Sequence, residues 1–196
     1  MRVHRLRLPL FFALLAPSGC ATLQQLQALG RVDFSIAGVS QVRLAGIDLS
    51  GIDAFTDLSL SDAARLASAV GRRDLPLGLE IAVLAENPAD NVADARLVGM
   101  DWTLLLQGRE TLSGSVEGET LLPRGRPTTI PIVVRLNLVE FFEGSARDLF
   151  DLALSLAGTG GASQQITLRA VPVIETPFGP IAYPEPITIV SGEVGR

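Results

Sequence analysis

Hydrophobic side chains alternate with polar or small ones along most of the chain, which is the period-2 pattern of half-buried β-strands. Runs of this kind cover residues 31–60, 77–83, 97–106, 109–118, 130–138, 166–171 and 187–189. Turn dipeptides separate several of them, notably Asn87-Pro88 and Gln107-Gly108. The AGV, AGI and SGI steps within the first run indicate bulges or turns rather than a repeat.

Two segments instead show helical spacing. The first is predicted to begin at Ser61 as N-cap, with Leu66 and Val70 on one face, and to end at Gly71. The second is predicted to begin at Ser145 and to stop at residues 158–161. A doubly wound parallel sheet needs regular strand–helix alternation, which two helices cannot supply. The pattern therefore predicts an all-β, antiparallel sandwich of about seven strands, immunoglobulin- or fibronectin-III-like, with one or two accessory helices.

The N-terminus has the layout of a secretory signal. Three arginines precede an apolar run over residues 8–16, which is too short to span a bilayer, and Ser18 and Gly19 lead into Cys20. This resembles the lipobox of bacterial lipoproteins, although Pro17 stands where leucine is usual. We expect a signal peptide over residues 1–19 and lipid attachment at Cys20. The alternative is an ordinary signal peptide with an incidental cysteine.

Residues 20–30 place Leu23, Leu26 and Leu29 at helical spacing among glutamines, and we interpret them as a membrane-proximal tether. Cys20 is the only cysteine, so the chain forms no internal disulfide. A free thiol is a liability in an oxidising compartment, and acylation of Cys20 would remove it. By the same resemblance, Ala21 after the cysteine implies sorting to the outer membrane. The expected location is lipid-anchored on that membrane, facing the periplasm.

Composition narrows the possible functions. Removal of residues 1–19 takes away three arginines and lowers the net charge from −5 to −8, which disfavours nucleic-acid binding. The chain has no lysine, and its single histidine is His4, within the predicted signal. The mature protein therefore lacks a Ser-His-Asp triad, a Schiff-base lysine and every histidine or cysteine metal site. We expect no enzyme activity, no cofactor and no metal.

The segment from Leu77 to Leu138 resembles the late-embryogenesis-abundant (LEA) type 2 family, also called the water stress and hypersensitive response (WHy) domain. The resemblance is carried by a strand that ends at Asn87-Pro88, a strand that ends at Gly108, a small-residue segment around Gly114 and a long alternating strand over residues 129–138. Ala89 departs from the family's usual Asn-Pro-Asn. The resemblance implies a LEA type 2 domain over residues 31–192, a β-sandwich, and a non-catalytic role in desiccation and other stress.

Several polar residues are candidate sites. Asn87 and Pro88 are interpreted as a structural turn rather than a ligand contact. Asp90, Asn91 and Asp94 share the following loop and could offer oxygens to a cation, but they lack EF-hand spacing.

Near the second helix, two acidic pairs could form a carboxylate site, although a solvated helix face is the simpler interpretation. These pairs are Glu140 with Glu143 and Asp148 with Asp151. The GTGG string at 158–161 lacks a following lysine, which indicates a loop.

Trp102 and Tyr183 are the remaining candidates. Trp102 shares a strand face with Leu104 and Leu106 and is predicted to be a core anchor rather than a ligand platform. Tyr183 stands in a proline-rich stretch and is either edge-packed or exposed to a partner.

The favoured function is a membrane-anchored, non-catalytic binding or protective domain, with the membrane as partner through Cys20. The alternative is a carrier of lipid or another apolar ligand, held in a groove beneath the second helix. A hydrolase that depends on two carboxylates is a third possibility. The sequence alone names no ligand, protein partner or oligomeric state.

Overall fold

The structure is a computed structural model, and it describes residues 18–158, 166–176 and 179–190. The predicted signal sequence up to residue 17, residues 159–161 of the GTGG string and the predicted domain end at residue 192 lie outside the described residues. Within the described part no helix is long and apolar enough to cross a membrane.

Nine strands and four α-helices make up the described chain. The strands are β1 (Asp33–Leu44), β2 (Ile47–Asp48), β3 (Pro76–Glu86), β4 (Ala95–Leu106), β5 (Arg109–Leu122), β6 (Pro127–Asn137), β7 (Ile166–Thr176), β8 (Gly179–Ala182) and β9 (Ile187–Val190). The helices are α1 (Ser18–Leu29), α2 (Leu60–Gly71), α3 (Leu138–Phe141) and α4 (Ala146–Ala157), with a short 3₁₀ turn at Phe55–Asp57.

The strands form two antiparallel sheets packed face to face. Sheet A has the order β2-β1-β3-β6, and sheet B has the order β5-β4-β7-β8, with β9 also paired to β7. Without the short strands β2 and β8, seven strands remain in the order of a fibronectin-III-type sandwich. The predicted all-β sandwich is confirmed, and β2 and β8 are two additional short strands at its margins.

Alternation along the strands builds the core. On β3 every second side chain is buried from Leu77 to Ala85, and β6 contributes Ile130, Ile132 and Val134 from the facing positions of the same sheet. β1 keeps its alternation only by means of two bulges, one between Ile36 and Gly38 and one between Ser40 and Arg43. Each bulge shifts the register, so the hydrophobic positions on both sides of it still face inward.

The helices differ in part from the predictions. Helix α4 is capped at Ser145 as predicted, and it ends at Gly158 in the left-handed conformation. Helix α2 is capped by Ser59 rather than Ser61, because the Ser59 hydroxyl accepts the N–H of Asp62. The helix therefore begins earlier than its hydrophobic spacing indicated.

The segment predicted to be a membrane-proximal tether is helical over residues 20–29, and its C-terminal end packs onto the domain. Within helix α1, Ala28 and Leu29 are fully buried, and the helix contacts β4 and β7. Gln25 also donates to the carbonyl of Asp94 and accepts the N–H of Arg96. An isolated helix of this length would be only marginally stable in water, so its stability here comes from burial against the sheet.

Candidate functional site

Two buried asparagines link helix α1 to the loops at one end of the sandwich. Asn87 and Asn91 are only 2% and 3% exposed. The Nδ2 of Asn91 donates to the carbonyl of Ala28 at 2.8 Å and to Oδ1 of Asn87 at 2.6 Å. The Nδ2 of Asn87 in turn donates to the carbonyl of Leu122 at 2.7 Å. We call Asn87 and Asn91 the asparagine pair.

The asparagine pair joins three chain segments that are far apart in sequence. It connects the end of α1, the β3–β4 loop and the end of β5, and the carbonyl of Asn87 also accepts the N–H of Gly125 in the β5–β6 turn. Hydrogen bonds of this kind are costly to lose because each would leave a buried polar group without a partner. Asn87 and Pro88 therefore end strand β3 as predicted, and Asn87 also helps to hold the three segments together.

Asp90 and Asp94 are held by arginines at the rim of the same loop. Arg31 makes a two-pronged contact with Asp90, with both Nη2–O distances at 2.9 Å. Hydrogen bonding by Arg31 lowers the pKa of Asp90. The backbone N–H of Arg124 lies 3.0 Å from Asp94 and lowers the pKa of that carboxyl.

These contacts turn the three residues considered as possible cation ligands in different directions. Asp90 faces Arg31, Asp94 faces Arg124, and the Asn91 side chain is turned into the protein, where its Oδ1 accepts the N–H of Val92. Among the described residues no group of three or more acidic, histidine or cysteine side chains is placed to hold a metal ion. The loop acts as a structural junction in this arrangement. Sequence reasoning missed Arg31 and Arg124, whose only signal was opposite charge in distant loops.

The acidic residues near the second helix are not brought together as a carboxylate pair. Asp148 caps its own helix, accepting from the backbone N–H of Ser145 at 2.9 Å and from the Ser145 hydroxyl at 2.7 Å. These bonds lower the pKa of Asp148. Glu140 accepts from Asn137, whereas Glu143 and Asp151 are exposed.

Trp102 is a core residue, as predicted. It is 6% exposed, and its ring lies across Gly114 on the neighbouring strand β5. A Cβ atom placed on Gly114 would be 2.5 Å from Cζ2 of Trp102. The indole N–H is buried and has no hydrogen-bond partner among the described residues. Tyr183 is half-buried against the core, which supports the edge-packed interpretation.

A polar cavity of about 510 Å³ opens on the outer face of sheet B. Its floor is the main chain of Trp102 and Gly114, since the register places their side chains on the opposite face from Asp101, Thr103 and Ser113. The hydroxyls of Thr103 and Ser113 already bond one another at 2.9 Å, and nearby Arg169 is paired with Glu110 at 2.7 Å.

A second cavity, of about 200 Å³, lies beside α4 and is lined by Val70, Phe142 and Leu149 among others. It is smaller than the sites that hold drug-sized ligands. Helix α4 itself lies on β1, and its buried side chains, which include Phe150 and Leu154, fill the core. Neither of these two cavities is the apolar groove that the alternative function places beneath this helix.

Comparison with known proteins gives a limited likeness. No protein-family model matches the chain, and no curated protein matches it. A crystal structure of a protein from Archaeoglobus fulgidus is similar at 18% identity and a TM-score of 0.35, covering 58% of this chain and 82% of that one. The solution structure of a candidate late embryogenesis abundant (LEA) protein is similar at 11% identity and a TM-score of 0.39, covering 89% and 75%. These values do not establish a family, so membership of the LEA type 2 family stays a prediction.

Proposed function

We propose that the protein is a non-catalytic binding or protective domain that a lipid on Cys20 holds at the outer membrane, facing the periplasm. The observation that carries the proposal is the docking of α1. The helix includes Cys20 and continues without a break to Leu29, which is buried in the domain. The nine steps along the helix from Cys20 to Leu29 span about 14 Å.

An acyl chain on Cys20 would therefore hold the domain close to the bilayer. Acyl chains contribute about 0.8 kcal/mol per buried CH₂ group, and several chains give a stable anchor. Because α1 is fixed by the asparagine pair and by Gln25, the end of the sandwich that carries the β3–β4 loop and the β5–β6 turn would face the lipid. The opposite end, at the start of β3, would point into the periplasm.

The state of the described carboxylates supports a role without catalysis. A general acid at neutral pH needs a raised pKa, which burial or a neighbouring carboxylate provides. Where the pKa of a described carboxyl is displaced, it is lowered by hydrogen bonds from neighbouring residues. These carboxyls are Asp48, Asp90, Asp94 and Asp148. Such groups stay ionised and serve as caps and ion-pair partners.

A stress role is the finer part of the proposal, and it rests on the sequence resemblance to the LEA type 2 domain. The test is survival of host cells after drying and osmotic shock. Cells that lack the gene should survive less well than the parent, and the full chain should restore survival when it is supplied again.

The Cys20→Ser chain separates the anchor from the domain in this experiment. It should fold but fail to restore survival if the domain must be held at the membrane. Equal survival of the parent and the deletion strain would contradict the stress role. Full rescue by Cys20→Ser would contradict the need for the anchor.

A further inference from the structure

Two arginines flank a gap in the outer face of sheet A. The register pairs Arg43 of β1 with Gly78 of β3, and Gly78 with Arg135 of β6, so the three residues form one row across neighbouring strands. The side chains of Leu77 and Leu79 on β3 are buried on the opposite face. We call Arg43, Gly78 and Arg135 the arginine furrow.

Gly78 leaves open space between the two arginines. A Cβ atom on Gly78 would meet nothing within 4 Å, and Gly78 has an ordinary φ, so no backbone strain requires glycine here. A cavity of about 420 Å³ opens at this place, and its lining includes Pro76 and Asn137 beside the two arginines. A glycine at this position weakens the strand, since it has no side chain to pack. However, the absence of a side chain leaves open space at the surface between the two arginines.

The guanidinium groups of Arg43 and Arg135 have N–H donors that are available to a ligand. Arg135 is exposed and makes no hydrogen bond or ion pair with the described residues. Arg43 lies 3.7 Å from Asp48, with both side chains more than half exposed. Exposed ion pairs of this kind contribute little free energy, so the contact with Asp48 leaves Arg43 able to bind another anion.

We propose that the arginine furrow binds a small oxyanion, a carboxylate or phosphate group carried by a water-soluble molecule. Guanidinium groups present N–H donors in a planar fork that matches the oxygens of these anions. Two such forks on either side of an open glycine can contact one anion from both sides. Arg135 has no ion-pair partner among the described residues and Arg43 has only a weak one, so in a chain of net negative charge this pair favours the approach of an anion.

The position of the furrow favours a soluble ligand over a lipid headgroup. Gly78 lies eight residues before Glu86, which directly precedes Asn87 and pairs with Asp33, at the end of the sandwich where helix α1 docks. At about 3.3 Å per residue this places the furrow about 26 Å from that end of the sandwich. The inference goes beyond the proposed function, and the site needs no lipid on Cys20, so each can fail without the other.

The test uses the full chain, isotope-labelled and purified in detergent, titrated with inorganic phosphate at constant ionic strength while ¹H–¹⁵N spectra are recorded. We expect saturable shifts of the amides of Arg43, Gly78 and Arg135. Arg135→Gln should weaken phosphate binding at least about tenfold, because it removes hydrogen bonds made by a charged donor. Absence of a saturable shift at these amides would overturn the proposal.

Two further variants sharpen the experiment. Gly78→Val fills the gap at a position where a side chain has room, so the domain stays folded and phosphate binding should fall at least about tenfold. Arg65→Gln on helix α2 is the charge control, because it also removes one exposed positive charge but lies outside the furrow, 3.7 Å from Asp62. Equal loss of binding in Arg65→Gln and Arg135→Gln would show non-specific attraction and overturn the site.

The source of the oxyanion is tested in a separate titration. Phosphatidylglycerol added to the micelles should leave the amides of the furrow unshifted while inorganic phosphate shifts them. Shifts that require phosphatidylglycerol and do not occur with phosphate would overturn the assignment to a soluble ligand.

Discussion

The ring of Trp102 lies across Gly114, so close that a Cβ atom on Gly114 would be 2.5 Å from Cζ2 of Trp102 and 2.9 Å from Cε2. The two residues are register partners on β4 and β5. The small residue on one strand makes room for the large residue on the other. This contact fixes the chain's single tryptophan within the core.

Replacement of Gly114 by alanine should therefore destabilise the domain. The added methyl group forces the indole ring or strand β5 to move, and overpacking of this kind costs about 1–3 kcal/mol. Urea unfolding followed by the fluorescence of Trp102 measures the change. Gly78→Ala is the matched control in a strand, since its methyl group meets nothing within 4 Å. Equal unfolding midpoints for the two variants would contradict the prediction.

Trp102→Phe should lower the free energy of unfolding by less than the smaller buried ring alone would predict. The buried indole N–H has no partner within the described part of the chain, and phenylalanine removes that donor while keeping an aromatic ring. Circular dichroism in urea gives the free energy of unfolding, because the variant has no tryptophan. Trp102→Leu keeps neither the ring nor the N–H. Phe should be clearly more stable than Leu, and the reverse order would contradict this account of the site.

The free energy of unfolding should fall by about 1–3 kcal/mol in Asn91→Ala, because the substitution leaves the carbonyl of Ala28 and Oδ1 of Asn87 without their donor. Helix α1 should loosen first, so amide exchange at Leu29 should rise more than amide exchange in β3. Asp90→Asn is the control, since it weakens only an exposed ion pair with Arg31. Unchanged exchange at Leu29 in Asn91→Ala would show that the asparagine pair does not fasten the helix.

The stability of helix α4 should depend on pH through Asp148. Hydrogen bonds from Ser145 lower its pKa below the ordinary 3.8, so its contribution is complete above that value and is lost as the pH falls through the folded pKa. Asp148→Asn should thus reduce the loss of stability below about pH 4. Urea midpoints between pH 3 and pH 7 provide the measurement, with Asp151→Asn as the control on the same helix. If the urea midpoint of Asp148→Asn depended on pH as strongly as that of the wild-type protein, the role assigned to Asp148 would be wrong.

The strands and the second helix could be predicted because their signals are local. Alternation on β3 and β6 marks the buried face directly, and Ser145 with Asp148 forms a capping box within four residues. Ser59 was missed as the cap of α2 because Ser61 offers the same chemistry two residues later. Both hydroxyls lie in that first turn, 2.8 Å apart.

The long-range contacts could not be predicted in the same way. Asn91 stands in a polar loop, and only the arrival of Ala28 from helix α1 explains why its side chain is buried. Arg43 and Arg135 are 92 positions apart in the chain and become neighbours of one glycine through two strand pairings. Such relationships depend on register, which the alternation of one strand at a time leaves open.

The most direct test of the anchor is the intact mass of the protein recovered from the membrane fraction of bacterial cells that express the full chain. The account predicts a mass that lacks residues 1–19 and carries acyl groups on Cys20, and an unprocessed chain for Cys20→Ser. A free thiol at Cys20 in the wild-type protein, or cleavage at another residue, would contradict it.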